Sequence, residues 1–355
     1  MSQLSKLTLV TPTYNRQRFA LRSMRFWSGS DVHLLVMDGS SQPISQEHLA
    51  SLADNIRYVW MPVSLEERLR ATTELVDTEF VALLADDEFF LVSALEACIK
   101  HLDNNSDTVA SIGRCANFWP SKYQLKANQR YPMWQSLTMD DPQDRILALA
   151  SKYQPSTCYA VTRRQQWVLC HQVASTTRFS TPYTIEMQLE FMMTYLGKVM
   201  VLDELMWLRS GENHPVHVPG WSRQLEFHQW YKDNRFKGEI DEFIRIMSEK
   251  LAPVFSSSDE REIRTNLGNA TEAYVSSCSD PKGIVNDVRI FWMSVLHSIA
   301  AALPRNIKYP IKKVLGLSQG QVDMQDLPAY FQQRGVGVNT KDLSQIIETL
   351  RSFYA

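Results

Sequence analysis

Cysteine is scarce. There are five in 355 residues (Cys98, Cys115, Cys158, Cys170 and Cys278), an odd number, with no two spaced as C-x-x-C. That excludes a disulfide framework and a paired-cysteine zinc site, and it fits buried thiols in a reducing compartment. Surplus positive charge is absent as well. Thirty-seven Lys and Arg stand against 39 Asp and Glu, a net charge of −2, so a nucleic-acid partner is not expected. No apolar run approaches the roughly 20 residues that span a bilayer. The nearest, 290–303, is interrupted by Ser294, His297 and Ser298. The opening MSQLSKLTLVTPTYNR lacks the apolar stretch of a signal peptide. The expectation is a cytoplasmic protein, with contact at the inner face of the cell membrane as an added possibility. No G-x-G-x-x-G follows the first apolar run, which excludes a Rossmann dehydrogenase.

What is present reads as α/β. Hydrophobic residues make up 44% and charged residues 21%, enough for an ordinary core. The length predicts about two domains at roughly 100–200 residues each. Short apolar runs at 7–10, 32–37, 56–60 and 80–84 predict strands. Helical patterns at 17–27, 65–75 and 93–102 alternate with them. Runs that are apolar on both faces belong to parallel sheets covered by helices. After about residue 105 the pattern loosens, with strands predicted at 109–112, 158–161, 199–202 and 206–208. A long loop is expected over 119–141 and a helix over 184–195, stopped by Gly197. From about Ser222 amphipathic helices take over; Ile240, Phe243, Ile244, Met247 and Leu251 share one face.

The strand ends carry the chemistry. In open α/β sheets, ligands bind beyond the carboxyl ends of the strands. Thr11, Pro12, Thr13, Tyr14, Asn15 and Arg16 end the first run and suit a base and ribose. Asp38-Gly39-Ser40-Ser41 ends the second, and its carboxylate suits an imide or a ribose hydroxyl. Asp86-Asp87-Glu88 ends the fourth. Carboxylates repel a diphosphate unless a divalent cation such as Mg²⁺ or Mn²⁺ stands between them. Each cluster alone has a plain structural explanation: a helix cap, an Asp-Gly turn, a solvated acidic turn.

Together, and in this order, the runs TPTYNR, VMDGSS and VALLADDEFFLVSALE resemble family-2-type glycosyltransferases of the GT-A fold over roughly residues 5–215. The resemblance is to a bacterial branch whose metal motif reads A-D-D rather than D-x-D. It implies a Rossmann-like, mostly parallel sheet flanked by helices over residues 1–220, followed by an α-helical region over 221–355. It also implies transfer of a sugar from a nucleotide-sugar donor to a glycan or lipid-linked hydroxyl acceptor, in surface polysaccharide or lipopolysaccharide assembly. The reaction would be inverting and metal-dependent, with Mn²⁺ or Mg²⁺. Ala85 stands where the first motif aspartate usually sits, so Asp87 becomes the inner metal ligand and Asp86 a contact to ribose or to a water on the metal. A register shifted by one makes Asp86 and Glu88 the pair.

The same resemblance places the catalytic base at the start of a helix, as Glu186, eleven residues before Gly197. Glu190, one turn on, shares its face and is the alternative. His214 is a candidate further metal ligand, ahead of His217. Arg68 is a candidate partner of the base or of a phosphate, or a neighbour of the acids on its own helix. Trp119, Tyr131 and Trp134 suit an acceptor sugar or core packing. Residues 290–313 join an apolar stretch to Arg305, Lys308, Lys312 and Lys313, a composition suited to peripheral membrane contact. The competing classes are a non-catalytic protein of the same fold and a nucleotidyltransferase; TPTYNR offers the latter no glycine-rich loop.

Overall fold

The structure, a computed structural model, describes residues 2–120, 124–155, 157–174, 176–211, 225–255, 259–278 and 321–355. Four parallel strands form the half of the sheet nearest the N-terminus: β1 (Leu7–Thr13), β2 (His33–Asp38), β3 (Ile56–Trp60) and β4 (Phe80–Leu83), ordered β4-β1-β2-β3. Helices α1 (Gln17–Trp27), α2 (Gln46–Leu49) and α3 (Leu65–Leu75) lie between them in sequence, and α4 (Val92–Asn104) follows. Side chains alternate across a strand. Leu7, Leu9, Leu34 and Val36 enter the main core, while Val10, Leu35, Met37 and Val81 enter a second core with Leu69 and Trp167. Both faces are covered, which is why these runs read as continuously apolar. Helix α3 begins with a capping box: Glu67 N–H donates to Ser64 Oγ at 3.2 Å, and Ser64 N–H to Glu67 Oε2 at 3.1 Å.

The other half of the sheet is mixed. It holds β5 (Phe89–Phe90), β6 (Thr108–Pro120), β7 (Leu125–Arg130), β8 (Val161–Arg163), β9 (Lys198–Ser210) and β10 (Val322–Asp323). Strand β8 joins antiparallel β6 to the antiparallel edge of β4, and β9 runs parallel to β6 while pairing β5. The loop expected over 119–141 is corrected at its start. Strand β6 runs on to Pro120 and β7 pairs back on it, six residues of mostly half-buried polar chain that give no alternating signal. The two extended pieces expected after Gly197 are one strand, β9, bulged against β6.

Helices α5 (Pro142–Ser151), α6 (Arg164–Ala174) and α7 (Tyr183–Leu196) follow the mixed strands; α8 (Phe227–Lys232), α9 (Lys237–Leu251) and α10 (Glu260–Ser277) pack on them. Gly197 is needed for proximity rather than for a turn: a Cβ there would lie 2.4 Å from Val109 Cγ1. The chain then returns to the sheet. β10 pairs β7, α11 (Leu327–Gln332) follows, and α12 (Thr340–Tyr354) lies against α1 and α4. Asp342 Oδ2 accepts from Ser93 N–H at 2.8 Å, and the Phe353 ring sits 5.6 Å from Phe19. Among the described residues no helix is long and apolar enough to cross a membrane.

His171 on α6 is buried, its ring stacked 3.7 Å from Trp167 and its Nδ1 2.9 Å from the Trp167 carbonyl oxygen. Burial pulls its pKa down to about 4 from 6.5. Below pH 6.5 the unfolded chain takes up a proton that the folded one refuses. Stability is therefore full above pH 6.5 and falls as pH drops towards 4. At pH 5 the loss is about 2 kcal/mol, at about 1.4 kcal/mol per pH unit. His171→Phe keeps the stacking and should erase that increment; urea unfolding at pH 7 and pH 5 reads it. An equal acid-induced loss in both proteins refutes the assignment.

Candidate active site

The ladder brings the strand ends level. Thr13 pairs with Asp38 and Asp38 with Trp60, while Leu84 N–H donates to the Val10 carbonyl at 2.9 Å. The three ends expected to line one crevice therefore meet at one edge of the parallel half. Beyond Thr13 the chain turns through Asn15, at φ 53°, a left-handed conformation that Asn tolerates. That turn lets Asn15 N–H donate to Ser40 Oγ at 2.8 Å, tying the first end to the second.

Asp38 is fully buried and accepts three hydrogen bonds: from Tyr58 Oη at 2.7 Å, Ser40 N–H at 2.8 Å and Gln17 Nε2 at 3.1 Å. Burial and this contact hold the Tyr58 hydroxyl protonated. Arg68 reaches from α3 to the ends of two strands. Its Nη1 donates to the carbonyls of Thr13 (2.7 Å) and Met37 (2.8 Å), clamping β1 to β2. The guanidinium lies over Gly39, where a Cβ would come within 2.7 Å of it, so only glycine leaves it room. Trp60 stays 43% exposed at the rim, its Nε1 donating to the Ser40 carbonyl at 2.8 Å.

The three consecutive acids separate. Asp86 and Asp87, both buried, face one cation: Arg16 Nη2 is 3.0 Å from Asp86 Oδ1 and 2.6 Å from Asp87 Oδ2. Asp86 Oδ2 also accepts from Thr13 Oγ1 at 2.7 Å. Burial raises the Asp86 pKa to about 6, with Arg16 opposing and Asp87 adding to the rise. The Asp87 carbonyl accepts from Arg22 Nη2 at 2.8 Å. Arg22 is itself layered among Phe19, Phe89 and Phe353, so α12 braces the acidic turn through α1. Glu88, grouped with Asp87 by sequence, is drawn to other partners. Its Oε2 accepts from Trp207 Nε1 at 2.7 Å, and Oε1 lies 3.9 Å from Arg209 Nε. Burial first, then the charge of Asp87, lifts its pKa to about 8. Among the described residues no three His, Cys, Asp or Glu side chains converge as a metal cage.

The two helix acids separate as well. Glu186, in the first turn of α7, accepts from Tyr153 Oη at 2.6 Å. Glu190 is fully buried and accepts the backbone N–H groups of Thr157 and Cys158, each at 3.1 Å. It anchors the short turn Thr157–Tyr159, whose Tyr159 ring stacks 4.2 Å from Trp207. Trp207 and Tyr153 were not singled out from sequence; a tryptophan inside an apolar run reads as core. Tyr131, at φ 51°, lies 5.0 Å from Trp134 and 6.3 Å from Trp207. Trp119 packs over Gly211 instead. His214, His217 and the stretch 290–313 lie outside the described residues.

With this geometry in hand, residues 8–165 match the model of glycosyl transferase family 2. That match spans just under half of the chain. Across nearly its whole length it also shares the fold of S. aureus TarS residues 1–349. The TM-score is 0.50 at 13% identity, covering 99% of this chain and 91% of that one. The same TarS segment in complex with UDP-GlcNAc superposes with a TM-score of 0.50 at 14% identity, with the same coverage. Comparison with curated proteins by sequence finds no match. The chain is thus a glycosyltransferase of GT-A type, its mixed α/β sheet flanked by helices.

Proposed function

We propose that this glycosyltransferase moves a sugar from a nucleoside-diphosphate donor to a hydroxyl acceptor in one inverting displacement, with a divalent cation on the diphosphate. The observation that carries the reading is the convergence of Asp86 and Asp87 on a single cationic nitrogen beside the aligned ends of β1 and β2. Two buried carboxylates sharing one cation suit Mg²⁺ or Mn²⁺, which are commonly held by one or two carboxylates plus substrate phosphates. Asp87 and Asp86 would hold it, and when bound it would neutralise charge on the departing diphosphate. Arg16, displaced from the pair, stays within reach of a phosphate oxygen. Thr11, Pro12, Thr13, Tyr14, Asn15 and Asp38 form the wall for the nucleoside, and Arg68 keeps the two strand ends in register. Glu88 supports the acidic turn from behind through Trp207.

Glu186 is the base. It takes the proton from the acceptor hydroxyl as that oxygen bonds to the anomeric carbon. The bond from that carbon to the diphosphate breaks, and the nucleoside diphosphate leaves with the electron pair. In this reading residues 1–220 bind the donor and 221–355 brace the site from outside. The acceptor is a glycan or lipid-linked hydroxyl of surface-polysaccharide type.

Arg16 favours a second reading, in which it neutralises both acids permanently and the protein binds a nucleotide without turnover. Thermal denaturation with UDP, GDP, dTDP or CMP, with and without Mn²⁺, separates the two. UDP, the nucleotide of the TarS complex's donor, is the first choice. A ligand at 100-fold its Kd adds about 2.7 kcal/mol of apparent stability. The expected result is a shift that needs Mn²⁺ together with one nucleotide, and release of that nucleotide from its sugar donor. Equal shifts with and without metal, and no release from any donor, refute the catalytic reading.

A further inference from the structure

Glu186 is half-buried in the first turn of α7, and its carboxylate accepts a short bond at Oε1, from Tyr153 Oη at 2.6 Å. A glutamate side chain turns about several bonds, so a carboxylate on its surface explores many directions unless a partner holds it. The partner here is itself held. Tyr153 packs against the main core, and the Tyr274 ring of α10 meets it edge-on, with centroids 5.0 Å apart and planes at 76°. Tyr274 leans in turn on Phe227 of α8, at 5.6 Å. Edge-to-face pairs of this kind add to the stabilisation from burial alone.

The Tyr153 hydroxyl stays a donor. Burial first, then the charges of Glu190 and Glu186, pushes its pKa well above the ordinary tyrosine range. The Glu186 carboxylate also lies near the acidic turn. After burial, the charges of Glu88, Cys158 and Glu186 all raise the Tyr159 hydroxyl, so Glu88 and Glu186 are both within electrostatic reach of the ring that stacks on Trp207.

We infer that Tyr153 is a positioning residue for the transfer reaction, holding the Glu186 carboxylate by Oε1 so that Oε2 meets the acceptor's proton. This rests on the reading of Glu186 as the base and adds the group that sets its angle. Tyr153 touches no reacting atom and keeps its own proton; the acceptor's proton goes to Oε2. Through Tyr274 the constraint reaches α10, which gives the C-terminal helices a part in the chemistry. A reacting group misplaced by about 1 Å can cost about a hundredfold in rate.

The test is a double-mutant cycle on the full chain: parent, Tyr153→Phe, Glu186→Gln and the double variant. Release of nucleoside diphosphate is followed from UDP-, GDP- and dTDP-linked hexoses with Mn²⁺, water standing in as the acceptor hydroxyl. Urea midpoints give the folded fraction. Tyr153→Phe keeps the ring contacts and removes only the donor. It should lower kcat about tenfold or more with donor KM unchanged, because the base is no longer held. In the Glu186→Gln background the same change should cost less than about twofold, because no base remains to be held. A purely structural role predicts equal losses in both backgrounds, or a loss that vanishes once rates are corrected for unfolded protein. Either result overturns the proposal, as does a Tyr153→Phe rate equal to the parent's beside a slow Glu186→Gln. If Glu186→Gln itself matches the parent, or the parent releases nucleotide from no donor, the base reading falls first and the inference falls with it.

Discussion

Asp87→Asn should leave a folded protein that has lost sugar transfer by a factor of a thousand or more. The substitution is nearly isosteric and touches only a side chain. The carbonyl of residue 87, held by Arg22 at 2.8 Å, keeps the turn in place. Arg16 retains Asp86, so no buried guanidinium is left without a carboxylate. What disappears is one of the two charges that converge on a single cation. A divalent cation on a departing diphosphate is worth several kcal/mol, and about 4 kcal/mol corresponds to roughly a thousandfold in rate. Release of nucleoside diphosphate from the donor, measured across a Mn²⁺ titration beside the parent protein, checks this. If Asp87→Asn keeps more than a tenth of the parent rate at saturating Mn²⁺, Asp87 is not the inner ligand. Asp86 and Glu88 then return as the pair, although Glu88 would have to leave Trp207 to serve.

The parallel half of the fold was legible because its signals are local. Four apolar runs, each stopped by small or acidic residues, name the strands and also the end at which ligands gather. The crossovers between parallel strands bring those ends to one edge of the sheet, and the pairing of Thr13 with Asp38 follows. The mixed half was legible only in pieces: apolar stretches of β6 and β9 stood out, but not their full lengths or their pairing. β7 is six largely polar residues whose pairing depends on β6, and β9 is interrupted in sequence by Asp203 and Glu204, where its register against β6 shifts.

At the site, composition identified the acids but not their partners. Asp86, Asp87 and Glu88 are equivalent as letters. In the turn before β5, Glu88 meets Trp207 while Asp87 meets Arg16, partners that lie far off in sequence. Arg68 gave no sign in sequence of the two strand-end carbonyls within its reach, because they belong to segments 31 and 55 residues away. Trp207 carried one usable clue: a buried indole N–H needs an acceptor, and a glutamate is the strongest available.

Glu186 and Glu190 share a helix face and would be indistinguishable by spacing, yet their surroundings predict opposite failures. Glu186→Gln keeps an oxygen for the Tyr153 hydroxyl, so the fold and donor binding should persist. It removes the proton acceptor, and a positioned general base contributes about 10²- to 10⁴-fold, so kcat should fall in that range while KM for the donor barely moves. Glu190→Gln leaves one carbonyl oxygen for two backbone N–H groups that the carboxylate now satisfies with separate oxygens. Leaving one buried donor unmet costs about 1–3 kcal/mol, so this variant should lose stability while its folded fraction turns over near the parent rate. Single-turnover rates and urea midpoints, measured on both variants, decide the assignment. A Glu186→Gln rate within tenfold of the parent removes Glu186 from the chemistry. A Glu190→Gln protein of undiminished stability that no longer transfers sugar moves the base one turn along α7, and the Thr157–Tyr159 turn would then have to open to admit the acceptor.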